Sequence, residues 1–428
     1  MKALMFGWEF PPQISGGPGT ACEGITRGLT ENGVAVIFVA PRLSGNEAPG
    51  STVLLSADQI PAATGDIQRA ATEGLLSYLH VNSVLMPYTA DADQSSEISA
   101  DDLLQHVLSG KDTAAAYPFK GGYGPQLIEE VFRYMLPAME IAGKYQFDII
   151  HAHDWMTFPA AIAAAKISGK PLVVHVHATE FDRSGAHINT GIYDIEKLGM
   201  DEADIVITVS EFTRKNLISL YNIPADKIEV VHNAMPDASF RRDDKKASPF
   251  SEKIVSFISR ITYQKNPENF LYAAKRILDK DPDFRFVVAG NGNLLEPMIE
   301  KAAQLGIAAK VHFPGFLEMQ ELVRLFGVTD VYVMPSVSEP FGISPLEAVK
   351  AGVPVVISRQ SGVQEVLHHA LKVDWWDVEE MADAIHGLAR YRGLAGTLKQ
   401  GASREVQGLS WHKQTVLIRK IYETIAPV

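Results

Sequence analysis

One cysteine, Cys22, stands in 428 residues, so the chain forms no intramolecular disulfide and builds no cysteine-based zinc site. No window approaches the roughly 18–20 apolar residues that span a bilayer. The apolar run at the start is too short for a secretory signal, because Trp8-Glu9 follows it at once. Basic charge is not in excess: 39 Lys and Arg face 51 Asp and Glu, for a net charge of −12. That balance argues against general nucleic-acid binding and against docking on anionic membranes. A local basic pocket for a small anion stays compatible with it. No sequence repeat relates the two halves of the chain. The expectation is a cytoplasmic protein with no membrane insertion.

What is present is ordinary globular composition, 46% hydrophobic and 21% charged. The length is large for one core, so two domains are expected. Apolar runs at Ala3–Phe6, Val34–Val39, Asp148–His151, Leu172–Val176 and Ile205–Val209 alternate with helical patterns. A second series runs through Ile254–Ile258, Phe284–Ala289, Val311–Phe313, Val331–Met334 and Val353–Ile357. Apolar strands joined by helices predict parallel sheets covered on both faces. The fold class is therefore α/β, with two Rossmann-like doubly wound domains at 1–240 and 250–410. The polar stretch 236–251 reads as the linker. Two such domains bind ligands at the carboxyl ends of their strands, in the cleft between them. The region 87–125 is less regular and reads as an insertion over the first sheet. Its Asp91-Ala92-Asp93 has a metal-motif spacing but reads as a solvated acidic loop.

The most informative segment is Glu339-Pro340-Phe341-Gly342-Ile343-Ser344-Pro345-Leu346-Glu347. A buried strand precedes it, and a short helix closed by Gly352 follows. Glu339 then sits at a strand end, Glu347 lies in the first helical turn, and the amides of Gly342, Ile343 and Ser344 lie between. Amides and helix dipole suit a phosphate, and the two carboxylates suit sugar hydroxyls. Arg260 and Lys265 share the loop after the first strand of the second domain, where two cations suit a diphosphate. Gly290-Asn291-Gly292 reads equally as a place for a nucleotide base or as a plain turn. The Gly16-Gly17 loop after the first strand allows close backbone approach to a ligand or is simply a turn. His151 and His153, like His175 and His177, form an H-x-H pair with both rings on one strand face. Such pairs serve as metal ligands or as hydrogen-bonded core histidines. His151 reads as core; His153 falls past the strand end, toward the cleft.

Taken together, these residues resemble a retaining GT-B glycosyltransferase of the glycogen/starch synthase and sucrose synthase type, near bacterial and archaeal glycogen synthase-like members. The likeness rests on Pro335-Ser336-x-x-Glu339-Pro340-Phe341-Gly342 with Glu347-Ala348, on the Arg260–Lys265 loop, on Val231-His232-Asn233, on His151-Ala152-His153-Asp154-Trp155 and on His177–Arg183. It implies that Arg260 and Lys265 bind the donor diphosphate, Glu347 the ribose, and Glu339 the sugar near its anomeric carbon. It places His153 beside the transferred sugar, with Asn233, Gly16 and Gly17 lining the cleft and Gly290 on the donor side. Residues 411–428 would form a helix crossing back to the first domain. Glucose from ADP- or UDP-glucose would pass to an α-1,4-glucan with retention, with no metal and no organic cofactor. Two departures bear on sugar and acceptor: Ile14 stands where such synthases carry lysine, and Asn233-Ala234-Met235-Pro236 replaces their Asn-Gly turn. Another sugar or acceptor on the same chemistry, an epimerase or phosphorylase, and a non-catalytic nucleotide-sugar binder are the competing readings.

Overall fold

The computed structural model describes residues 1–12, 17–47, 50–61, 117–121, 124, 126–235 and 251–426. The linker at 236–250, Asp91–Asp93 and most of the 87–125 insertion lie outside the described residues. Two all-parallel sheets carry the fold. The first has seven strands: β1 (Lys2–Phe6), β2 (Ala35–Ala40), β3 (Val53–Ser56), β4 (Ile149–His153), β5 (Leu172–Val176), β6 (Ile205–Thr208) and β7 (Ile228–Val230), in the order β3-β2-β1-β4-β5-β6-β7. The second has six: β8 (Lys253–Ile258), β9 (Phe284–Ala289), β10 (Val311–Gly315), β11 (Val331–Met334), β12 (Val355–Ser358) and β13 (Leu371–Val373), in the order β10-β9-β8-β11-β12-β13. The expected doubly wound α/β architecture is what forms. Among the described residues no helix is long and apolar enough to cross a membrane.

Apolar continuity explains the central strands. Along β1, Leu4 and Phe6 enter one core while Ala3 and Met5 enter another on the opposite face. Along β11, Val331 and Val333 face one core and Tyr332 and Met334 the other. A strand buried on both faces needs no polar alternation, so it reads as an unbroken hydrophobic run.

The last helix, Trp411–Ile425, packs on the first, Gly17–Glu31. Close approach depends on glycine. A Cβ at Gly24 would meet Trp411 Nε1 at 2.2 Å, and one at Gly28 would meet Thr415 Oγ1 at 2.6 Å. Asn32 Nδ2 donates to the His412 carbonyl at 2.9 Å, and Arg419 Nη1 donates to the Asn32 carbonyl at 2.9 Å. The buried seam is Trp411, Thr415, Ile418 and Tyr422. Hydrophobicity alone points instead to Val416, Ile418, Ile421 and Tyr422. Val416 and Ile421 are only half-buried, while the Thr415 hydroxyl is buried by bonding the Trp411 carbonyl at 2.8 Å.

The two domains touch through polar contacts as well. Helix Glu211–Tyr221 of the first domain is capped by its own Ser210, whose Oγ accepts from the Thr213 amide at 3.0 Å. Ser210 Oγ also donates to the Pro340 carbonyl at 2.6 Å. The Glu365 carboxylate, from the second domain, accepts from the amides of Glu211 and Phe212 at 2.9 and 2.8 Å. His232 Nε2 lies 2.9 Å from the same carboxylate. Burial pushes the Glu365 carboxyl up, but the His232 bond and the two amides outweigh it and leave it below its ordinary value. A depressed carboxyl stabilises the fold above its unfolded pKa, and that stability is lost as pH falls through the folded value. Glu365→Ala should cost about 1 kcal/mol, the scale of a lost helix cap. Urea unfolding at pH 7 checks this, and the gap to wild type should close in acid below about pH 4.

Candidate active site

In a doubly wound sheet, ligands gather where neighbouring strands send the chain in opposite directions. In the second sheet that point lies between β8 and β11. The loops leaving these two strands carry Arg260, Lys265 and Glu339. Lys265 Nζ sits 2.5 Å from Glu339 Oε2, and Ser336 Oγ donates to that same oxygen at 3.1 Å. Glu339 is buried at 8% exposure. Arg260 is exposed, with no ion-pair partner among the described residues. The loops are stitched together by side-chain amides. Gln264 Nε2 donates to the Ser338 carbonyl at 2.9 Å, and Asn266 Nδ2 to the Pro335 carbonyl at 3.0 Å. A paired cation and carboxylate therefore share these two loops with a guanidinium that has no ion-pair partner among the described residues.

Gly342 turns the chain at φ +99, a value side chains rarely adopt, and Ser344 opens the helix Ser344–Lys350. No acceptor among the described residues takes the amides of Gly342, Ile343 or Ser344. Glu347 lies in the first turn of that helix, and burial pushes its carboxyl up to about 7. Tyr332, below the helix, donates to Ser344 Oγ at 2.8 Å. The expected grouping of Arg260, Lys265, Glu339 and Gly342–Glu347 around one sheet edge is present.

Gly290 plays a different part from the one its position suggests. Its amide is spent on the Gly315 carbonyl at 2.8 Å, and a Cβ on it would fall 1.8 Å from the Ser259 carbonyl oxygen. The adjoining Asn291 carbonyl accepts from the Ile261 amide at 2.8 Å. The glycine turn thus braces the Arg260 loop from behind. Next to it, after β10, Phe316 stands 69% exposed at the rim. Its only sequence signal is an aromatic residue directly after a strand-ending glycine.

The first sheet switches direction between β1 and β4. Gly17, the first residue of its helix, is exposed there, while Gly16 lies outside the described residues. His153 departs from expectation. It is the last residue of β4 rather than a loop residue, and it is only 3% exposed. Register explains this: His153 pairs with His175 across β4 and β5. His151, His153, His175 and His177 form a stack of four rings, with centroids 4.4 Å apart along each strand and 5.4 and 5.2 Å apart across them. His153 Nδ1 lies 3.0 Å from His177 Nε2, and His151 Nδ1 lies 2.5 Å from the Tyr422 hydroxyl. Burial lowers all four pKa values; His151 falls to about 3. All four rings are therefore neutral at pH 7. His151 is a core histidine, but one bonded on a single nitrogen. Asn233 is 7% exposed, and its Oδ1 finds no partner among the described residues.

One contact joins the two halves of the site directly: Ser338 Oγ donates to Asp182 Oδ1 at 2.5 Å. Asp182 lies in the short helix Glu180–Ser184 that follows His177, so the segment after β5 meets the second domain's Glu339 loop. The brace behind Arg260 gives a test. Gly290→Ala should destabilise the protein by about 3 kcal/mol or more through overpacking and backbone strain. Gly327→Ala, whose Cβ meets nothing within 4 Å, should be neutral or slightly stabilising. Urea midpoints of the two variants check the difference.

Residues 240–399 match the family described as Glycosyl transferases group 1, and residues 102–238 match Glycosyltransferase Family 4. An uncharacterized glycosyltransferase of Methanocaldococcus jannaschii is 29% identical, over 98% of this chain and 98% of its own. A glycogen synthase of Mycobacterium tuberculosis is 25% identical, over 86% of this chain and 80% of its own. A D-inositol 3-phosphate glycosyltransferase of Mycobacterium marinum is 27% identical, over 87% and 85%. Among solved structures, sucrose-phosphate synthase from Thermosynechococcus elongatus superposes with a TM-score of 0.74 at 16% identity, covering 99% of this chain and 98% of that one. With two Rossmann-like domains and matches to glycosyltransferase families over 102–238 and 240–399, the chain is a glycosyltransferase of GT-B type, and so a transferase.

Proposed function

We propose that the chain is a retaining hexosyltransferase that moves glucose from ADP- or UDP-glucose to the non-reducing end of an α-1,4-glucan. The observation that carries this reading is the Lys265–Glu339 pair at the β8/β11 switch point, with Arg260 in the same loop and without an ion-pair partner among the described residues. A leaving diphosphate needs preorganised positive charge, and a sugar hydroxyl near it needs a carboxylate acceptor. Lys265 and Arg260 take the diphosphate, assisted by the amides of Gly342, Ile343 and Ser344. Glu339 orients the sugar, and Glu347 accepts from the ribose hydroxyls. Phe316 offers its exposed face to the base. On this reading the bond from C1 to the phosphate oxygen breaks as the acceptor oxygen bonds C1 on the same face. The acceptor proton passes to the departing phosphate oxygen. The reading assigns the diphosphate charge to these side chains, with no metal or organic cofactor in the step. His153 and Asn233 would stand on the sugar side, with the Gly16-Gly17 loop toward donor and acceptor.

A second reading keeps the chemistry and changes the acceptor to a small sugar phosphate or a surface glycan. The 27% identical D-inositol 3-phosphate glycosyltransferase favours it as much as the 25% identical glycogen synthase favours the glucan. Nucleoside diphosphate release from ADP-, UDP- and GDP-sugars, with and without glycogen, separates the two. Glycogen-dependent release from ADP- or UDP-glucose supports the glucan reading. Release that ignores glycogen moves the assignment to another acceptor, and no release from any donor sinks both.

Arg260→Ala and Lys265→Ala should each lower kcat by about 10²–10³-fold, the scale of one lost preorganised contact. Arg260 is exposed, so its variant should keep the wild-type melting temperature; unchanged turnover would remove the diphosphate assignment. Glu347 adds a pH signature. Ribose hydroxyls donate to the ionised carboxylate, and its pKa is about 7. Nucleoside diphosphate affinity should therefore rise from pH 6 to pH 8. Calorimetry on Glu347→Gln should show this component of the rise removed, leaving only the ligand's own ionisation.

A further inference from the structure

We propose that the imidazole stack between β4 and β5 is a binding site for one late first-row divalent ion, zinc being the representative, held by His151, His153 and His175. One ring nitrogen from each of these three lies within 4.8 Å of the other two. His151 Nε2, His153 Nε2 and both nitrogens of His175 are buried, with no hydrogen-bond partner among the described residues. The remaining nitrogens of His151 and His153 are already oriented, while His175 is held at neither. His151 Nδ1 faces the Tyr422 hydroxyl at 2.5 Å, and His153 Nδ1 faces His177 Nε2 at 3.0 Å. Liganding histidines show this division: one nitrogen for the ion, the other fixed by an outer partner. Neutral imidazoles suit zinc, copper and nickel, and exclude magnesium and calcium, which take oxygen. Zinc–nitrogen bonds of about 2.0–2.1 Å bring tetrahedral ligand atoms to roughly 3.3 Å apart. Converging on one ion requires the stacked rings to turn, because each lone pair lies in its ring plane, and His175 breaks no hydrogen bond among the described residues in turning. An alternative set, Cys22 with His153 and His177, is also within reach. It is the poorer one, because burial pushes the Cys22 thiol well up and keeps it protonated.

The site has a consequence that rests on the reading of His153 as a sugar-side residue. An ion on His153 Nε2 withdraws that nitrogen from the cleft, so the loaded protein is an inhibited form. Binding and inhibition are measured separately. Chelator-stripped full-length protein is titrated with Zn²⁺ by calorimetry and with Co²⁺ by visible absorption. One ion per chain with submicromolar Kd and a cobalt d–d spectrum is expected. His175→Gln should weaken binding at least 100-fold, and Tyr422→Phe about 10–100-fold. Absence of stoichiometric binding, or binding indifferent to both substitutions, would overturn the site and assign any uptake to surface histidines. Should His175→Gln not fold, X-ray absorption on the zinc-loaded wild type decides: three imidazole nitrogens support the site and fewer overturn it. Equal transfer rates of stripped and loaded protein would overturn the inhibition alone, because the binding data do not depend on turnover.

Discussion

The candidate site depends on β8 and β11 lying side by side while the chain leaves them in opposite directions. That adjacency brings a loop at residue 260 and a loop at residue 339 to one edge of one sheet. No local sequence preference would do so. The Lys265–Glu339 pair closes the gap, and Gln264 and Asn266 hold the two loops in register through main-chain carbonyls. Without the crossover geometry these would be three unrelated surface side chains. With it they bring two cations and one carboxylate to the carboxyl ends of adjacent strands in a protein whose overall charge is negative.

A buried pair of this kind is a poor source of stability, since removing charge from water offsets most of the attraction. Its value lies in geometry. In the proposed function, Glu339 holds Lys265 where a diphosphate oxygen would take the carboxylate's place as partner. The glycine brace has the same character: Gly290 contributes no side chain, yet it sets the position of Ser259 and Arg260.

Much of this was legible in the sequence because it is linear. The motif from Ser336 to Glu347 holds its strand end, turn and helix start in one stretch. Central strands were legible because burial on both faces writes them as apolar runs. Strands β3, β7 and β13 were not, because edge strands of three or four residues are only partly buried and carry no such run. The histidine stack could be half read. Each H-x-H pair shows its own alternation, but the pairing of His153 with His175 depends on register between strands, and Tyr422 arrives from the far end of the chain. The Asp182–Ser338 and Glu365 contacts were hidden for the same reason, since they join residues from different domains. Gly290 follows β9, the neighbour of β8, but that it packs on the Arg260 loop is decided only in three dimensions.

The return of the chain through Ser410 bears on how the two domains move. Met235 and Ser410 form a parallel bridge, so the point where the chain leaves the first domain and the point where it returns lie side by side. A single tether leaves a domain three rotational freedoms. Two tethers bonded to each other pass through one place, so a rotation of the second domain would be centred there. Arg260, Glu339 and Glu347 would then move together relative to the histidine stack, and only after the Ser210–Pro340, Glu365 and Asp182–Ser338 contacts had parted.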